Sequence, residues 1–390
     1  MLAAKLAIRN LLGAGLRTWL NVFILSLSYV IIIWYQGLLA GWDGQVRRDM
    51  IHWEIGSGQY WHAAYDPYDP FTLEDGRGRP PKALRAAVDR EEAVEVLVSQ
   101  ASIYPQGRLM GVLLKGIDPE QNVLDMPTAS LNLETPEIPA LIGARMARSA
   151  KLKEGDAVTV RWRDANGTFD AAELRIAGLM KTNVGSIDNG QLWVPMERLR
   201  RMLAAPEIAT YVVMAVDATP PSGVQDWVHR DHAFLLKEIT EMIKMKSSGS
   251  SVMYLLLLFL AWLAIFDTQV LSIFRRRKEI GTLIALGMTR ARVIRLFTLE
   301  GTMHGVLALL LAAVYGTPLL VHMAVKGWTL PEMTDEMGLN TAQTLYASYG
   351  PQLVLGTIAI VMLSVGIVSF LPARTIAKLK PTDAIKGKLT

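Results

Sequence analysis

The chain has 390 residues, a formal net charge of +4 and no cysteine, and 51% of its residues are hydrophobic against 19% that are charged. Soluble domains usually hold about 25% charged residues, so this composition argues against two ordinary soluble domains. A chain without cysteine forms no disulfide framework and no thiolate metal site. The mean hydropathy of +0.26 directs attention to membrane-spanning segments.

Four apolar segments follow one another along the chain, at residues 20–42, 252–271, 302–325 and 351–371, and Asp267 is the one charged residue inside them. A helix needs about 20 apolar residues to cross the hydrocarbon core of a bilayer, so we predict four transmembrane helices. The first apolar run is longer than that of a signal peptide and no small-residue cleavage site follows it. We therefore expect it to remain as an anchor.

The segment 43–246 is long enough for one or two compact subdomains, and its pattern is mixed. Turn-bounded runs rich in β-branched residues predict strands at 51–61, 94–103, 109–117, 157–162, 172–179, 191–194 and 211–216. Helices are predicted at 82–88, 140–150, 195–203 and 225–245. The last of these either serves as a solvated linker or continues into the second span as a rigid stalk, with the serine and glycine residues of 247–251 weakening its continuity.

Residues 276–287 combine a basic cluster with a short amphipathic pattern. Ile280, Leu283, Ile284 and Gly287 recur at helical spacing, which predicts a helix over 279–287 with one apolar face. Gly281 permits close approach of another backbone. The residues alone leave two interpretations open: a helix lying on the lipid surface, or an element that docks into a partner protein. The candidate residues are Arg276, Arg277, Lys278, Glu279, Ile280, Gly281, Leu283, Ile284, Leu286 and Gly287.

Asp267 is a candidate for a functional polar contact within the second span. Intramembrane carboxylates are costly and tend to face a bundle interior or a partner group. A dimer interface or a polar hinge is one interpretation of Asp267. The other is that it reaches the membrane surface, because Arg275 follows about two helical turns later.

Basic residues concentrate beside the apolar segments. Residues 1–19 hold Lys5, Arg9 and Arg17 without an acid, and basic residues also dominate 272–300 and 372–390. Positively charged loops stay in the cytoplasm, so both termini and 272–300 are expected there, and 43–246 and 326–350 in the periplasm. The basic pI of about 9.1 thus reports topology, and nucleic acid is not an expected partner.

The predicted organisation has nine parts. They are a cytoplasmic amphipathic helix at 1–19, transmembrane helix 1 at 20–42, a periplasmic α+β domain with stalk helices at 43–246, transmembrane helix 2 at 252–271, a cytoplasmic coupling segment at 272–300, transmembrane helix 3 at 302–325, a periplasmic loop at 326–350, transmembrane helix 4 at 351–371 and a cytoplasmic tail at 372–390. The predicted fold class is therefore a membrane protein with four transmembrane helices and a large α+β periplasmic domain.

Several motifs in this order make the sequence resemble the MacB/LolC/LolE/FtsX-type ABC-transporter permeases. The most specific is RRKEIGTLIALG at 276–287, followed by LF at 296–297 and EG at 300–301. The others are LAIRNL at 6–11, LRT at 16–18, KGIDP at 115–119, IG at 142–143, LKEGD at 152–156, IAG at 176–178, DN at 188–189, VP at 194–195 and LPAR at 371–374.

The resemblance implies a MacB-like periplasmic core domain and a helix at 279–287 that couples to a cytoplasmic ATPase. The expected partners are two copies of a separate ABC ATPase subunit, a second permease subunit that is identical or paralogous, membrane lipids, and a lipoprotein or other periplasmic protein. The sequence contains no G-x-x-x-x-G-K-[ST] motif, so we expect no enzyme activity in this chain and ATP and Mg on the partner ATPase.

Two departures refine the resemblance. MacB-like proteins proper carry a nucleotide-binding domain ahead of the first span, whereas only a short segment precedes it here, which favours the LolC/LolE-like stand-alone branch. LolC-like proteins carry a long hook between the two strands after the Gly-Asp turn, and here residues 161–170 form only a tight hairpin. The resemblance therefore does not extend to capture of a periplasmic chaperone through such a hook.

Three functions remain open: lipoprotein release from the outer leaflet, export of amphiphilic peptides or drugs with an accessory channel, and FtsX-like control of a periplasmic hydrolase without transport. The first is preferred on architecture. The histidines lack a carboxylate at metal-ligand spacing and no H-E-x-x-H or G-x-S-x-G motif occurs, so we predict no metal, no cofactor and no catalytic residue on this chain.

Overall fold

The structure of the chain is a computed structural model that describes residues 16–69, 71–180, 182, 185–329 and 344–375. The predicted helix at 1–19, the loop at 326–350 and the tail at 372–390 lie largely outside the described residues. The chain divides into two compact units. The membrane unit comprises Met1–Trp42, Met242–Trp328 and Leu345–Thr390, and the soluble unit comprises Asp43–Glu241 and Thr329–Thr344.

Helices and strands alternate through the soluble unit, and long helices fill the membrane unit. The helices are α1 Leu16–Met50, α2 Thr72–Asp75, α3 Lys82–Asp89, α4 Ala144–Ala150, α5 Gly185–Asp188, α6 Met196–Met202, α7 His232–Leu235, α8 Lys237–Arg275, α9 Arg277–Ala285, α10 Arg290–Lys326 and α11 Pro351–Ala373. The strands are β1 Gly58–His62, β2 Ala93–Ile103, β3 Met110–Ile117, β4 Ile138–Gly143, β5 Ala157–Arg163, β6 Phe169–Met180, β7 Gln191–Pro195, β8 Tyr211–Met214, β9 Trp227–Arg230, β10 Trp328–Thr329 and β11 Thr344–Leu345.

Four of the described helices, α1, α8, α10 and α11, are long and apolar enough to cross a membrane. They contain the four apolar segments of the sequence. Helix α8 runs without a break through residues 247–251, and two serines of that stretch, Ser248 and Ser251, donate hydrogen bonds to carbonyls four residues earlier in the helix.

The strands of the soluble unit pair so that six of them close on themselves. Among the described residues the order is β3-β7-β4-β6-β5-β2-β8-β1-β9, and β2 also pairs with β3. The first half of β2 pairs with β8, and its second half joins β3 and β5. The β3–β7 and β4–β6 pairs are parallel and the others are antiparallel. Closure leaves these six strands without an open edge.

Three sequence predictions in this unit are wrong in part. Residues 140–150 form no single helix: Ile138–Gly143 is a strand with every residue buried, followed by α4. A fully buried strand and a buried helix share the same continuous apolar run, so periodicity does not separate them. Residues 225–245 also begin as a strand, β9, and helix α7 starts only where the Asp231 side chain accepts a bond from the Phe234 amide.

The predicted strand at 51–61 is a π-helix over Ile51–Ile55 that leads into β1. Gly56 ends the π-helix with a φ of +60°. A Cβ at this position would lie 1.9 Å from the carbonyl oxygen of Met214, so the backbone of β8 approaches where only glycine fits.

A buried ion pair lies in the core of the soluble unit. Lys115, the first residue of the KGIDP motif, points from β3 to Glu54 and donates a hydrogen bond to its Oε1. Their side chains are only 6% and 15% exposed. The Lys115 ammonium also lies 5.0 Å from the centre of the Trp193 ring. The pair therefore ties the π-helix at 51–55 to the closed ring of strands.

We expect Glu54→Gln to lower the free energy of unfolding by about 3 kcal/mol, because it leaves the Lys115 charge buried without its carboxylate. Denaturant unfolding of the full chain in detergent measures the change. The matched control is Glu207→Gln, which breaks an ion pair with Arg79 whose two side chains are more than 60% exposed. That variant should lose no more than about 1 kcal/mol. Equal losses in the two variants would contradict the structural importance of the buried pair.

Small residues on α10 let its neighbours approach closely within the membrane unit. Gly301 and Gly305 form a G-x-x-x-G pattern, and Ala308 and Ala312 continue it as buried residues. A Cβ at 301 would lie 2.3 Å from Oγ of Ser369 on α11, and one at 305 would lie 3.0 Å from the sulfur of Met362. Close packing through small residues is how helices associate where lipid removes the hydrophobic driving force.

Gly301→Ala is expected to destabilise the membrane unit by about 2 kcal/mol, because the added methyl overpacks the contact with α11. The matched control is Gly356→Ala on α11, where a Cβ meets nothing within 4 Å. That change should leave the stability of the membrane unit unchanged or raise it by up to about 1 kcal/mol, because alanine has a higher helix propensity than glycine. Loss of helicity on titration with denaturing detergent reports both variants, and an equal response would refute close α10–α11 packing at Gly301.

Candidate functional site

The candidate site lies in the middle of the predicted coupling segment at 272–300. It consists of residues 276–289, which join α8 to α10 within the membrane unit, and the name coupling segment is used below for these residues. Helix α8 ends at Arg275, and Arg276 leaves helical geometry with φ −99° and ψ 19° before α9 begins. Helix α9 spans Arg277–Ala285, two residues earlier at each end than the 279–287 predicted from the sequence. Thr289 precedes α10, whose first residue is Arg290.

The end of α9 is set by Gly287. The Gly287 amide donates to the Ile284 carbonyl at 3.1 Å, and the Met288 amide donates to the Leu283 carbonyl at 3.0 Å. This crossed pair of bonds is a Schellman motif, which requires a left-handed residue at the position that Gly287 occupies with φ +94°. Gly287 was predicted on the apolar face of the helix; that assignment is wrong, because the residue is exposed and ends the helix.

The apolar face of α9 is buried inside the membrane unit. Ile280 is fully buried, and Ile284 packs beside it, with Leu283 half-buried. Gly281 is buried too. The cluster around Ile280 joins residues from α8, α10 and α11, namely Ile273, Val293, Phe297 and Ala373. The coupling segment is therefore packed onto the membrane helices through its hydrophobic side.

Arg276 ties the segment to α10. Its guanidinium lies 3.0 and 2.8 Å from the two carboxylate oxygens of Glu300 and 2.7 Å from Oε2 of Glu279. The Glu300 side chain is 13% exposed and that of Arg276 is 25% exposed. The ring centre of Phe297 lies 5.0 Å beneath the guanidinium. Nη1 donates to both Glu300 oxygens and Nε donates to Glu279, so this partly desolvated guanidinium links two carboxylates on α9 and α10.

The opposite face of α9 is open. Lys278, Glu279, Thr282 and Leu286 are exposed, and Arg277 is half-buried. Leu286 is 80% exposed at the tip of the segment. Exposed apolar residues with a charged rim are typical of contact surfaces between proteins.

The predicted site residues thus separate into two groups. Ile280, Gly281 and Ile284 lie in the internal contact. Leu283 is half-buried, and the charged residues 276–279 and Leu286 lie around the contact. Sequence reasoning placed Glu300 and Phe297 in motifs but did not assign them to the site. Their spacing in the sequence could have indicated this role. Phe297 and Glu300 lie within one turn of each other on α10, and Glu300 is the acid on α10 that is nearest to the basic cluster at 275–278.

Asp267 lies on the exposed side of α8 in this single chain. Two residues later, Gln269 is buried at 2% exposure, and its amide nitrogen faces Gly301 of α10 beside Ser369 of α11. Gln269 is therefore a buried polar residue where these three helices meet, and sequence reasoning missed it because an uncharged amide does not interrupt an apolar run. The interface or hinge role of Asp267 stays a prediction.

Within the described ranges, no group of three or more histidine, aspartate or glutamate residues is placed to hold a metal ion.

Comparison with known proteins gives a family match for the C-terminal part of the chain. Residues 251–381 match the family model of the FtsX-like permease C-terminal domain, a range that includes the apolar part of α8, the coupling segment, α10 and α11. Together with the relatives below, this confirms the resemblance drawn from the motifs: residues 251–381 match an FtsX-like permease domain, and the chain is similar to LolC and MacB.

Among individual relatives, the chain is 22% identical over 415 residues to the lipoprotein-releasing system transmembrane protein LolC of Neisseria meningitidis serogroup B, an alignment that covers 95% of this chain and 94% of that protein. LolC of Xylella fastidiosa is also 22% identical, over 78% of this chain and 80% of its own length. The macrolide export ATP-binding/permease protein MacB of Bordetella avium is 23% identical over 56% of this chain, which is 34% of MacB.

Among solved structures, the extracellular domain of the noncanonic ABC-type transporter YknZ from Gram-positive bacteria covers 42% of this chain and 83% of its own, at 13% identity and a TM-score of 0.25. This likeness is too weak to define the fold.

Arg276→Ala is expected to lower the free energy of local opening of α9 by about 2 kcal/mol, because Glu300 then keeps a nearly buried charge without its partner. Hydrogen exchange of the amides of α9 in the purified full chain should accelerate about thirtyfold for that free-energy change. The matched control is Glu279→Gln, since Glu279 is 62% exposed and contributes little. If the two variants exchange alike, the Arg276–Glu300 contact does not hold the segment.

Proposed function

We propose that this chain is the permease subunit of an ATP-driven ABC transporter of the mechanotransmission type, which releases lipoproteins from the outer leaflet of the bacterial inner membrane. The observation that carries the substrate class is the alignment with LolC, which spans 95% of this chain and 94% of the relative. The MacB alignment is restricted to about a third of that protein.

The proposed topology follows from charge. Basic residues flank the apolar helices at 1–19, 272–300 and 372–390, which places both termini and the coupling segment in the cytoplasm. The soluble unit is then periplasmic. ATP hydrolysis belongs to a separate ATPase subunit that binds ATP and Mg. Two permease subunits, identical or paralogous, would sit on two copies of that ATPase.

The coupling segment is proposed to dock into the ATPase through its open face. Leu286 offers an apolar anchor, and Lys278 and Glu279 offer a charged rim; a central apolar anchor with a polar rim is the usual anatomy of a protein interface. Closure of the ATPases would push on this face. Because the other face of α9 is packed on α10 and tied by Arg276 to Glu300, the push would move α10 with it instead of tilting α9 alone.

Helices α1 and α8 are the proposed route to the soluble unit. Each contributes residues to both units: α1 extends to Met50 and α8 begins at Lys237. In this proposal their movement opens or closes the soluble units around a substrate outside the bilayer, and no wide aqueous tunnel through the membrane is needed.

Reconstitution tests the proposal. The permease and its ATPase are placed in proteoliposomes that contain a fluorescent triacylated lipoprotein, and release to a soluble acceptor is followed on addition of ATP. We expect ATP-dependent release and stimulation of hydrolysis by the lipoprotein. Stimulation by a macrolide or an amphiphilic peptide, without lipoprotein release, would replace this function by export, the candidate that the MacB similarity favours. Stimulation only by a periplasmic hydrolase would replace it by signalling.

The docking step is tested by Leu286→Glu in the same proteoliposomes. Loss of an interface anchor should lower substrate-stimulated turnover about tenfold, while hydrolysis by the isolated ATPase stays unchanged. The matched control is Leu133→Glu in the soluble unit, where the leucine is 48% exposed. Full stimulated turnover with Leu286→Glu would exclude this face as the docking surface.

A further inference from the structure

A second candidate site lies in the soluble unit, in a cavity of about 620 Å³ between α4 and Asp188, the last residue of α5. Its volume is within the range of small-molecule sites. The charged residues that line it are four cations, Arg145, Arg148, Lys151 and Lys153, and a single carboxylate, Asp188. Cations therefore outnumber acids among the lining residues of this cavity.

The deepest charged residues of the cavity are Arg145 and Asp188. Nε of Arg145 lies 3.4 Å from Oδ2 of Asp188, and the two side chains are only 10% and 3% exposed. Burial raises the pKa of Asp188 to about 6, although hydrogen bonds from the α4 backbone and the charges of Arg145 and Arg148 oppose the shift. The Arg145 guanidinium is thus held in a desolvated position, where its charge acts more strongly on a ligand than it would in water.

Gly143 fixes the position of this pair. A Cβ at 143 would lie 2.2 Å from the carbonyl oxygen of Asp188, so the start of α4 and Asp188 touch backbone to backbone. The IG and DN motifs of the sequence meet at this contact. The geometry of the cavity is consequently set by packing and does not depend on a bound ligand.

Lys151 is a cation that the fold does not require. It ends α4 in the left-handed conformation, with φ +54°, where glycine or asparagine is usually found. A lysine at such a position costs backbone energy that glycine would avoid. Its side chain lines the cavity. The sequence therefore accepts strain at the position where the cavity gains a positive charge.

We propose that this cavity binds a phosphate group, with Arg145 at its floor and Arg148, Lys151 and Lys153 around it. Arginine and lysine together are the usual protein ligands of phosphate. Inorganic phosphate suits this set better than a carboxylate, because a doubly charged oxyanion balances more of the surrounding cations. The phosphodiester of a phospholipid carries a single charge and presents two free oxygens to the same cations. The group belongs either to free inorganic phosphate or to a phospholipid headgroup. The inference is independent of the proposed transport function.

The test uses the full chain purified in a neutral detergent, with chloride held constant. Three probes are titrated by calorimetry: inorganic phosphate, dihexanoyl phosphatidylglycerol and dihexanoyl phosphatidylcholine. We expect the first, the second or both to bind the wild-type chain more tightly than phosphatidylcholine does. Binding of phosphatidylglycerol alone identifies a lipid headgroup as the source, and binding of inorganic phosphate alone identifies the free ion.

Lys151→Gly provides the decisive variant, because it removes the charge and relieves the left-handed strain. Its melting temperature without ligand should equal or exceed that of the wild type, and its affinity should fall about tenfold, as expected for loss of one charged hydrogen bond. The matched control is Lys82→Ala on α3, which removes a lysine that does not line the cavity and should leave affinity unchanged. Unchanged affinity in Lys151→Gly, an equal loss in Lys82→Ala, or absence of binding by both anionic probes overturns the proposal.

Discussion

The packing of α9 on α10 is the interaction on which the rest of the candidate site depends. A helix of nine residues has too few turns to be stable alone in water, so α9 exists because its apolar face is buried. Ile280 provides the centre of that contact, and Arg276 with Glu300 fixes its angle. In the proposed function, a push on the open face of α9 would therefore reach α10 through this packing and through the Arg276–Glu300 contact.

The interiors of the two units are packed by different means. In the soluble unit, six strands close into a ring, and the buried charge of Lys115 is matched by that of Glu54. In the membrane unit, glycine and alanine on α10 bring helices close enough for dispersion to hold them, as at Gly301 against Ser369.

Much of this arrangement follows from local pattern in the sequence. The apolar runs contain the four long helices, and the i, i+4 pair Ile280 and Ile284 marks the buried face of α9 correctly. Local pattern does not predict the features that depend on residues far away in the sequence. The strand Ile138–Gly143 is recognisable only once β6 and β7 flank it, and Gln269 becomes a contact residue only because Gly301 has no side chain. The left-handed turn that places Gly287 outside the helix also lies beyond a periodicity argument.

The structure bears on the two interpretations that the coupling motif left open. A helix that lies on a lipid surface needs its apolar face free to enter the headgroup region. Here Ile280 is fully buried and Ile284 packs beside it against α10, so the strongest apolar residues of α9 are used inside the protein. What remains outside is Leu286 at the helix end, the half-buried Leu283, and charged and polar residues. This is a small apolar surface for a helix that lies on lipid, so the proposed function assigns the open face of α9 to a protein contact.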